Sequence, residues 1–340
     1  MAWAVAWVVW GTAAAAPAHG PQRVAAAPAS AALACGPDAP RLLPLEAGAQ
    51  WWVPGQGGDA NPDNRGRTDN QWVLRHAGRV WLLGSGASPA AARALGCVLH
   101  RDLHMRVSDV VNPWARPELV MGNAGFRGNG ARLWAHEDVA QAMRQQCPRC
   151  VERLHLRLGP AAVDLGPSPI VLPTQGVRGA QGALGPWRWW RLVRAPGAVV
   201  TVWHLPGSNR WWAPGLLWGD GPPDLRDTSA EALDAALAQL QALSAPASEV
   251  ASPAQQWLPT QGAWLERDAL AQHRAYLAAL QAAVQARQEA GALETDPTPP
   301  LPGVPAGWQR SERASMNWQR TWRQMEARAW EAAPSASAPR

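Results

Sequence analysis

The chain has 340 residues, 47% of them apolar and 17% charged, which suffices for one large or two smaller packed domains and excludes a disordered chain. Its formal net charge of +5 is carried on the basic side by arginine alone, with no lysine, and is dispersed rather than concentrated, which argues against a nucleic-acid-binding protein. Ile, Phe and Tyr occur once each whereas Trp occurs 22 times. Lys, Ile, Phe and Tyr use AT-rich codons, and the abundant Ala, Gly, Pro, Arg and Trp use GC-rich ones, so tryptophan reads as the substitute aromatic core residue. A stacking surface for sugars or nucleic acid would need Trp and Arg interleaved on one face, and Trp is scattered along the whole chain.

Residues 2–16, AWAVAWVVWGTAAAA, form an apolar run of export-signal length, too short to span a bilayer comfortably. Ala16-Pro17-Ala18 offers a small-x-small cleavage site, although no basic residue precedes the run. Low-complexity Ala/Pro sequence continues to about Ala34. The expectation is a periplasmic or secreted protein with residues 1–34 as signal and low-complexity segment, a domain over 42–332 and a disordered tail over 333–340. Cys35 follows Ala32-Leu33-Ala34, which is only a weak lipidation signal. Four cysteines in an exported chain suit disulfides. Cys147-Pro148-Arg149-Cys150 has the CxxC spacing of redox dithiols and of half a zinc site, with no second pair to complete the latter, so a structural Cys147–Cys150 disulfide is expected ahead of a redox pair; the partners of Cys35 and Cys97 stay open.

In chain order, strands are expected at 51–53, 71–75 and 79–83, the last two as a hairpin around His76-Ala77-Gly78, after a polar turn-rich loop at 55–70. Ser88-Pro89 reads as N-cap and first residue of a helix to about residue 100. Strands follow at 107–111 and 132–135, then a helix over 137–154 that carries the CxxC in or at its end. Loops and short strands fill 156–186; strands are expected at 188–193, 199–204 and 210–218. Thr228-Ser229-Ala230-Glu231 reads as a capping box before leucines 233, 237, 240 and 243 at helical spacing. A Pro/Ser/Ala-rich linker (244–254), a helix over 265–290, a Pro-rich stretch and a last helix over 311–331 complete the chain. Alternating strands and helices with hairpins at both ends point to a layered α/β architecture with mixed sheets.

Several segments, in order, resemble the metallo-β-lactamase superfamily. VWLLGSGAS (80–88) is similar to that family's strand ending in Asp-Thr-Gly. VVNPWARPELVMGNAGF (110–126) is similar to its strand plus the His-x-His-x-Asp-His loop. RLWAHEDVAQAMRQQCPRC (132–150), VVTVWHLPGSNRWWAPGLLW (199–218) and PPDLRDTSAEALDAALAQL (222–240) resemble later strand and helix units. WLPTQGAW (257–264) stands where the family has Gly-His-Gly, and RASMNWQRTWRQME (313–326) resembles the terminal helix of the periplasmic quinoprotein relay system and sulfur-oxidation-associated zinc metallohydrolases. The resemblance covers about residues 42–330. It implies an αββα sandwich of two mixed β-sheets flanked by helices.

The resemblance also places the family's zinc ligands, and the residues found there cannot bind the metal as a set. The first two histidines fall on Trp114 and Arg116, the aspartate on Glu118 and the next histidine on Leu119. The mid-chain histidine falls on Ala195 or Pro196, the bridging aspartate on Gly215 or, in a shifted register, Asp220, the last histidine on Gln261, and the Asp of Asp-Thr-Gly on Gly84. Zinc hydrolysis needs imidazole or carboxylate ligands and an open position for an activated water. Glu118 and Asp220 alone remain as a possible residual polar site, and Arg116 brings a cation to the metal's place. His100 and His104 are four apart but lack a third ligand. His136, His155, His204 and His273 are isolated, and Ser85 lacks the nucleophile-elbow spacing.

The favoured expectation is an exported, non-catalytic member of the fold with no cofactor. Its old active-site mouth is either filled by Trp114 with Arg116 paired to Glu118, or binds a small anionic or aromatic ligand through Trp and Arg. The alternatives are a hydrolase of the same superfamily with zinc at an unrecognised site, and an accessory protein partner of a periplasmic quinoprotein dehydrogenase or sulfur-oxidation system.

Overall fold

Strand alternation builds the first sheet. β1 (Leu43–Glu46), β2 (Gln50–Val53), β3 (Gln71–His76) and β4 (Arg79–Leu83) form an antiparallel meander, and β4 continues in parallel through β5 (Asp109–Asn112), β6 (Arg132–His136) and β7 (Gln175–Val177). Trp72, Leu74, Trp81, Leu83, Val111 and Ala135 face one core, while Val73, Leu82, Val110 and Leu133 between them face another. Period-two alternation with both faces apolar requires cover on both sides. On the outer face lie Ala92, Leu95 and Leu99 of α1 (Pro89–Leu103), together with Phe126. Ser88 caps α1, its hydroxyl accepting the Ala91 N–H at 3.0 Å, as the Ser-Pro pair predicts. The computed structural model describes residues 35–332 except 37, 47, 168–169 and 246–253. The expected export signal and low-complexity segment, most of the 244–254 linker and the 333–340 tail therefore lie outside the described residues.

The loop after β5 carries α2 (Pro117–Val120) and α3 (Asn123–Arg127), and α4 (Glu137–Leu158) leads from β6 toward β7. The second sheet contains β8 (Gln181–Leu184), β9 (Trp187–Ala195), β10 (Ala198–Leu205), β11 (Arg210–Trp212), β12 (Gln256–Leu258) and β13 (Leu265–Glu266). Its order is β13-β12-β11-β10-β9-β8, antiparallel except for the parallel β11–β12 pair. α5 (Ala230–Leu243) packs on β9 and on α6 (Ala269–Glu289); α7 (Ala306–Gln309) and α8 (Glu312–Ala332) complete the outer layer, with α8 against α6. Two mixed sheets flanked by helices are thus present. Trp72, Trp187, Trp203, Trp212 and Trp257 are buried in the main core, where the sequence reading puts tryptophan.

Four local expectations change. The strand expected over 210–218 stops at Trp212 because Gly215 takes a left-handed turn (φ +77°). The helix expected from 265 begins at Ala269, since Leu265–Glu266 pairs as β13. The cap of α5 is Ser229, which accepts the Ala232 N–H, while the Thr228 hydroxyl donates to the Arg194 carbonyl. The cysteines of the CxxC stand as reduced thiols rather than as the expected bridge. Cys35 pairs with Cys97, tying the chain ahead of β1 to α1, and Cys147 and Cys150 are both free thiols inside α4. Residues three apart on a regular helix hold their Cβ atoms about 5–6 Å apart, so this turn must tighten before it reaches the roughly 3.8 Å of a disulfide.

Candidate functional site

Four of the positions that the sequence resemblance sets against zinc ligands, Trp114, Arg116, Glu118 and Leu119, lie on the segment between β5 and α3. Its ends are fixed by a reciprocal amide pair: Asn112 donates to the Asn123 side-chain oxygen at 3.0 Å, and Asn123 donates back at 2.7 Å and to the Val171 carbonyl at 2.8 Å. These groups are buried, so each bond also prevents an orphaned amide. Inside the loop, Trp114 bridges to Val200 of β10, and the Thr201 N–H bonds the Pro113 carbonyl at 2.8 Å. Trp114 therefore points into the space between the loop and the second sheet.

Carbon fills the space around two of these positions. Gly215 sits under the Trp114 indole; a Cβ there would lie 3.1 Å from Val200 and 3.2 Å from Trp114. Gly84 is likewise closed in, with Leu119 and Trp212 at 3.0 and 3.2 Å from any added Cβ. Leu119 is buried, and its carbonyl accepts from the Ser85 N–H at 2.7 Å and the Ser85 hydroxyl at 3.1 Å, which gives that serine a structural partner. Ala195 is buried at the end of β9 and Pro196 is exposed in the turn beyond it. The residue that β9 contributes to the site is their neighbour Arg194. It is fully buried, its guanidinium lies 4.9 Å from the Trp114 ring centre, and it bonds the Gly215 and Asp224 carbonyls and the Asp227 carboxylate.

Arg116 also lies against Trp114, 5.1 Å from the ring centre, so two guanidinium groups contact the indole. Arg116 Nε is 3.0 Å from an Asp69 carboxylate oxygen and 3.2 Å from Glu118. The Arg116 side chain is 12% exposed and that of Asp69 is 0%. The contact is an ion pair rather than an aligned hydrogen bond, because neither Arg116 Nε nor Asp69 Oδ2 has a hydrogen-bond partner. Burial pushes the Asp69 carboxyl above the usual carboxylate range, against the pull of Arg116. Burial also works against the Arg116 charge, but Asp69 and Glu118 outweigh it and hold the guanidinium protonated.

A polar chain extends from this pair. Asp69 accepts from the Thr68 hydroxyl at 2.8 Å and the Gln261 amide at 2.9 Å. The Gln261 side-chain oxygen accepts from Arg313 at 3.0 Å, and Arg313 pairs with Asp220 at 3.0 Å. Glu118 and Asp220, named together from the sequence, thus sit near opposite ends of one network, linked through Arg116, Asp69, Gln261 and Arg313. Asp69, Arg194 and Arg313 escape sequence reading. Asp69 ends a polar loop with no metal-like spacing, and the two arginines come from distant elements.

These residues do not fit a zinc ion. Of the aligned positions only Glu118, Gln261 and, by the shifted register, Asp220 carry side-chain oxygens, and a guanidinium is seated between Asp69 and Glu118. No group of three or more His, Cys, Asp or Glu side chains among the described residues could hold a metal. His100 and His104 are exposed at the end of α1. His136 caps α4, its Nδ1 accepting the Asp138 N–H at 3.1 Å. His155 is exposed, His204 stacks on Trp211 at 4.1 Å, and His273 is buried beneath Trp308.

Beside this cluster runs a groove of about 720 Å³. Trp114, Arg116 and Glu118 form part of its lining, Asp224, Arg226 and Asp227 another part, and α4 supplies a wall with Arg149, Arg153, Arg157 and Cys150. The inner charges neutralise one another: Arg226 pairs with Asp224 at 2.6 Å, and Asp227 with Arg194. Arg226 holds the Asp224 carboxyl well below its ordinary range, outweighing the burial that would raise it. Arg149, Arg153 and Arg157 have no carboxylate partner among the described residues, and with the single Glu152 beside them they make the wall positive. A second cavity of about 330 Å³ also reaches Asp69 and Glu118, and residues 38–41 form part of its wall.

No family profile and no curated protein sequence matches the chain. Solved structures do. A metallo-β-lactamase from Pontibacter korlensis superposes with a TM-score of 0.53 at 12% identity, covering 70% of this chain and 99% of that one. The metallo-β-lactamase FIM-1 from Pseudomonas aeruginosa, in its mono-zinc form, gives 0.54 at 14% identity, covering 72% and 97%. One from Hirschia baltica gives 0.53 at 10%, covering 70% and 97%. At such identities the likeness establishes the metallo-β-lactamase fold and nothing finer.

Proposed function

We propose that this chain is a non-catalytic, cofactor-free protein of the metallo-β-lactamase fold that binds a small anionic ligand in the arginine-walled groove. One observation carries the reading: Arg116 is ion-paired to both Asp69 and Glu118, so a fixed cation stands among the carboxylates that a metal would need. A divalent ion brought there would meet a like charge at contact distance. The planar guanidiniums on the groove wall suit bidentate recognition of a carboxylate or phosphate, and the Trp114 edge suits a ligand with an aromatic part. The Cys35–Cys97 disulfide and the apolar run at 2–16 support an exported protein, and the sequence resemblance to the periplasmic quinoprotein relay and sulfur-oxidation branch supports a periplasmic accessory role.

The test is zinc content by elemental mass spectrometry after exposure to zinc and desalting. Near-zero zinc per chain is expected; one or two equivalents retained would overturn the non-catalytic reading and favour a hydrolase with a rearranged site. Ligand binding is tested by thermal shift against carboxylates, phosphates and aromatic sulfonates. Stabilisation by at least one class is expected, and its loss in an Arg149→Gln/Arg153→Gln variant. No stabilisation by any class at millimolar concentration sinks the anion assignment.

A further inference from the structure

We infer that Cys147 and Cys150 form a reversible thiol–disulfide pair, with Cys150 as the attacking sulfur, that exchanges with disulfide compounds entering the arginine-walled groove. Three placements support this. Cys150 is 9% exposed and lines the groove, whereas Cys147, one helical turn away, is 0% exposed in the main core, so the groove reaches the first cysteine and not the second. Arg153 donates to Cys150 Sγ at 3.3 Å, placing a cation against that sulfur. Pro148, between the two cysteines, has no N–H to give the Arg144 carbonyl, so the turn that must tighten to close the bridge already lacks one helical hydrogen bond.

The groups facing Cys150 agree with this polarity. The Cys147 thiol donates to Cys150, which holds the Cys150 thiol below the ordinary range, and Arg153 adds to the effect; burial and the Glu118 carboxylate oppose it. Cys147 is pushed in the other direction by the same contact. Arg149, Glu152 and Arg157 on the same wall, Arg116 and Asp227, and Arg226 with its partner Asp224 complete the charges lining the groove. A thiolate beside arginine in a CxxC is the arrangement that makes a cysteine nucleophilic.

The exchange proceeds in two steps. The Cys150 thiolate attacks one sulfur of a disulfide RSSR, a Cys150–SR bond forms, and RS⁻ departs and takes a proton from water. Cys147 then gives up its proton and attacks Cys150 Sγ; the protein disulfide forms and the second RS⁻ leaves. The protein dithiol loses two electrons and RSSR is reduced to two thiols. The arginine wall favours disulfides that carry carboxylates. The assignment does not depend on the anion-ligand reading, since its readouts are covalent.

The experiment uses the native protein, reduced, desalted and exposed to oxidised glutathione, then trapped with iodoacetamide and peptide-mapped by mass spectrometry. The expected product is a bridge within the 147–150 segment. Cys147→Ala stops at a glutathione adduct on Cys150, and Arg153→Gln slows the reaction at least several-fold. Without any variant, the pH midpoint for alkylation of Cys150 in the native protein lies below the roughly 8.5 of a free thiol. Thiols that react only after unfolding, an adduct on Cys147 instead of Cys150, or a midpoint at or above the free-thiol value would each overturn the inference.

Discussion

Arg116 reaches Asp69 across the space between two loops that are far apart in sequence, with Nε 3.0 Å from a fully buried carboxylate. Glu118 shares the same guanidinium at 3.2 Å. Removing the cation strands two carboxylates, whereas removing all three charges strands none. Arg116→Met is expected to destabilise the protein by about 3 kcal/mol, the low end for a broken buried pair. Asp69→Asn/Arg116→Met/Glu118→Gln is expected to recover much of that loss. Urea unfolding of the two variants decides it; equal losses would show that the charges do not act as a unit.

Gly215 combines a left-handed backbone, φ +77°, with contacts at 3.1–3.2 Å to any Cβ. Gly215→Ala is expected to lose about 2–4 kcal/mol from conformational strain plus overpacking against Trp114 and Val200. Thermal unfolding reads this as a clear drop in Tm. An unchanged Tm would mean that Trp114 has room to move and does not fill the site.

His273 accepts the Trp218 N–H through Nε2 at 3.0 Å, and its Nδ1 lies 2.8 Å from the Ala269 carbonyl, which suits the neutral ring. Burial pushes its pKa down from 6.5 to about 4. The folded state therefore resists a proton that the unfolded chain takes up below pH 6.5. Its stabilisation is full above pH 6.5 and declines as pH falls toward 4, by about 1.4 kcal/mol per pH unit. Stability measured from pH 7 to 4.5 is expected to fall, with a smaller slope in His273→Gln. Parallel slopes for the two proteins would refute the assignment.

The Cys35–Cys97 bridge closes a separation of 62 residues and anchors the segment ahead of β1 to α1. Constraining a loop of that size stabilises a fold by about 2–4 kcal/mol. Cys35→Ala/Cys97→Ala is expected to lower the urea midpoint accordingly, while Cys147→Ala/Cys150→Ala leaves this contribution in place. No change on removing the first pair would show that the tether is dispensable.

Much of the architecture was legible because it is local. The alternation in 71–74 and 80–83, the Ser88-Pro89 cap and the leucines of α5 each depend on neighbours within one or two turns. Where those expectations slipped, a non-local partner had intervened: 265–266 became β13 because it pairs with β12, and Thr228 left the cap role to bond Arg194. The main strands and helices and the use of tryptophan as the aromatic core residue were readable from the sequence by itself, since they follow from spacing, composition and side-chain chemistry. Only the tertiary structure decided that Arg116 is answered by Asp69, that Arg194 packs against Trp114, that Gln261 links Asp69 to Arg313 and through it to Asp220, and that Cys35 pairs with Cys97. These contacts join residues tens to hundreds of positions apart. Spacing along the chain carries no record of them, because they depend on how the sheets and loops pack in three dimensions.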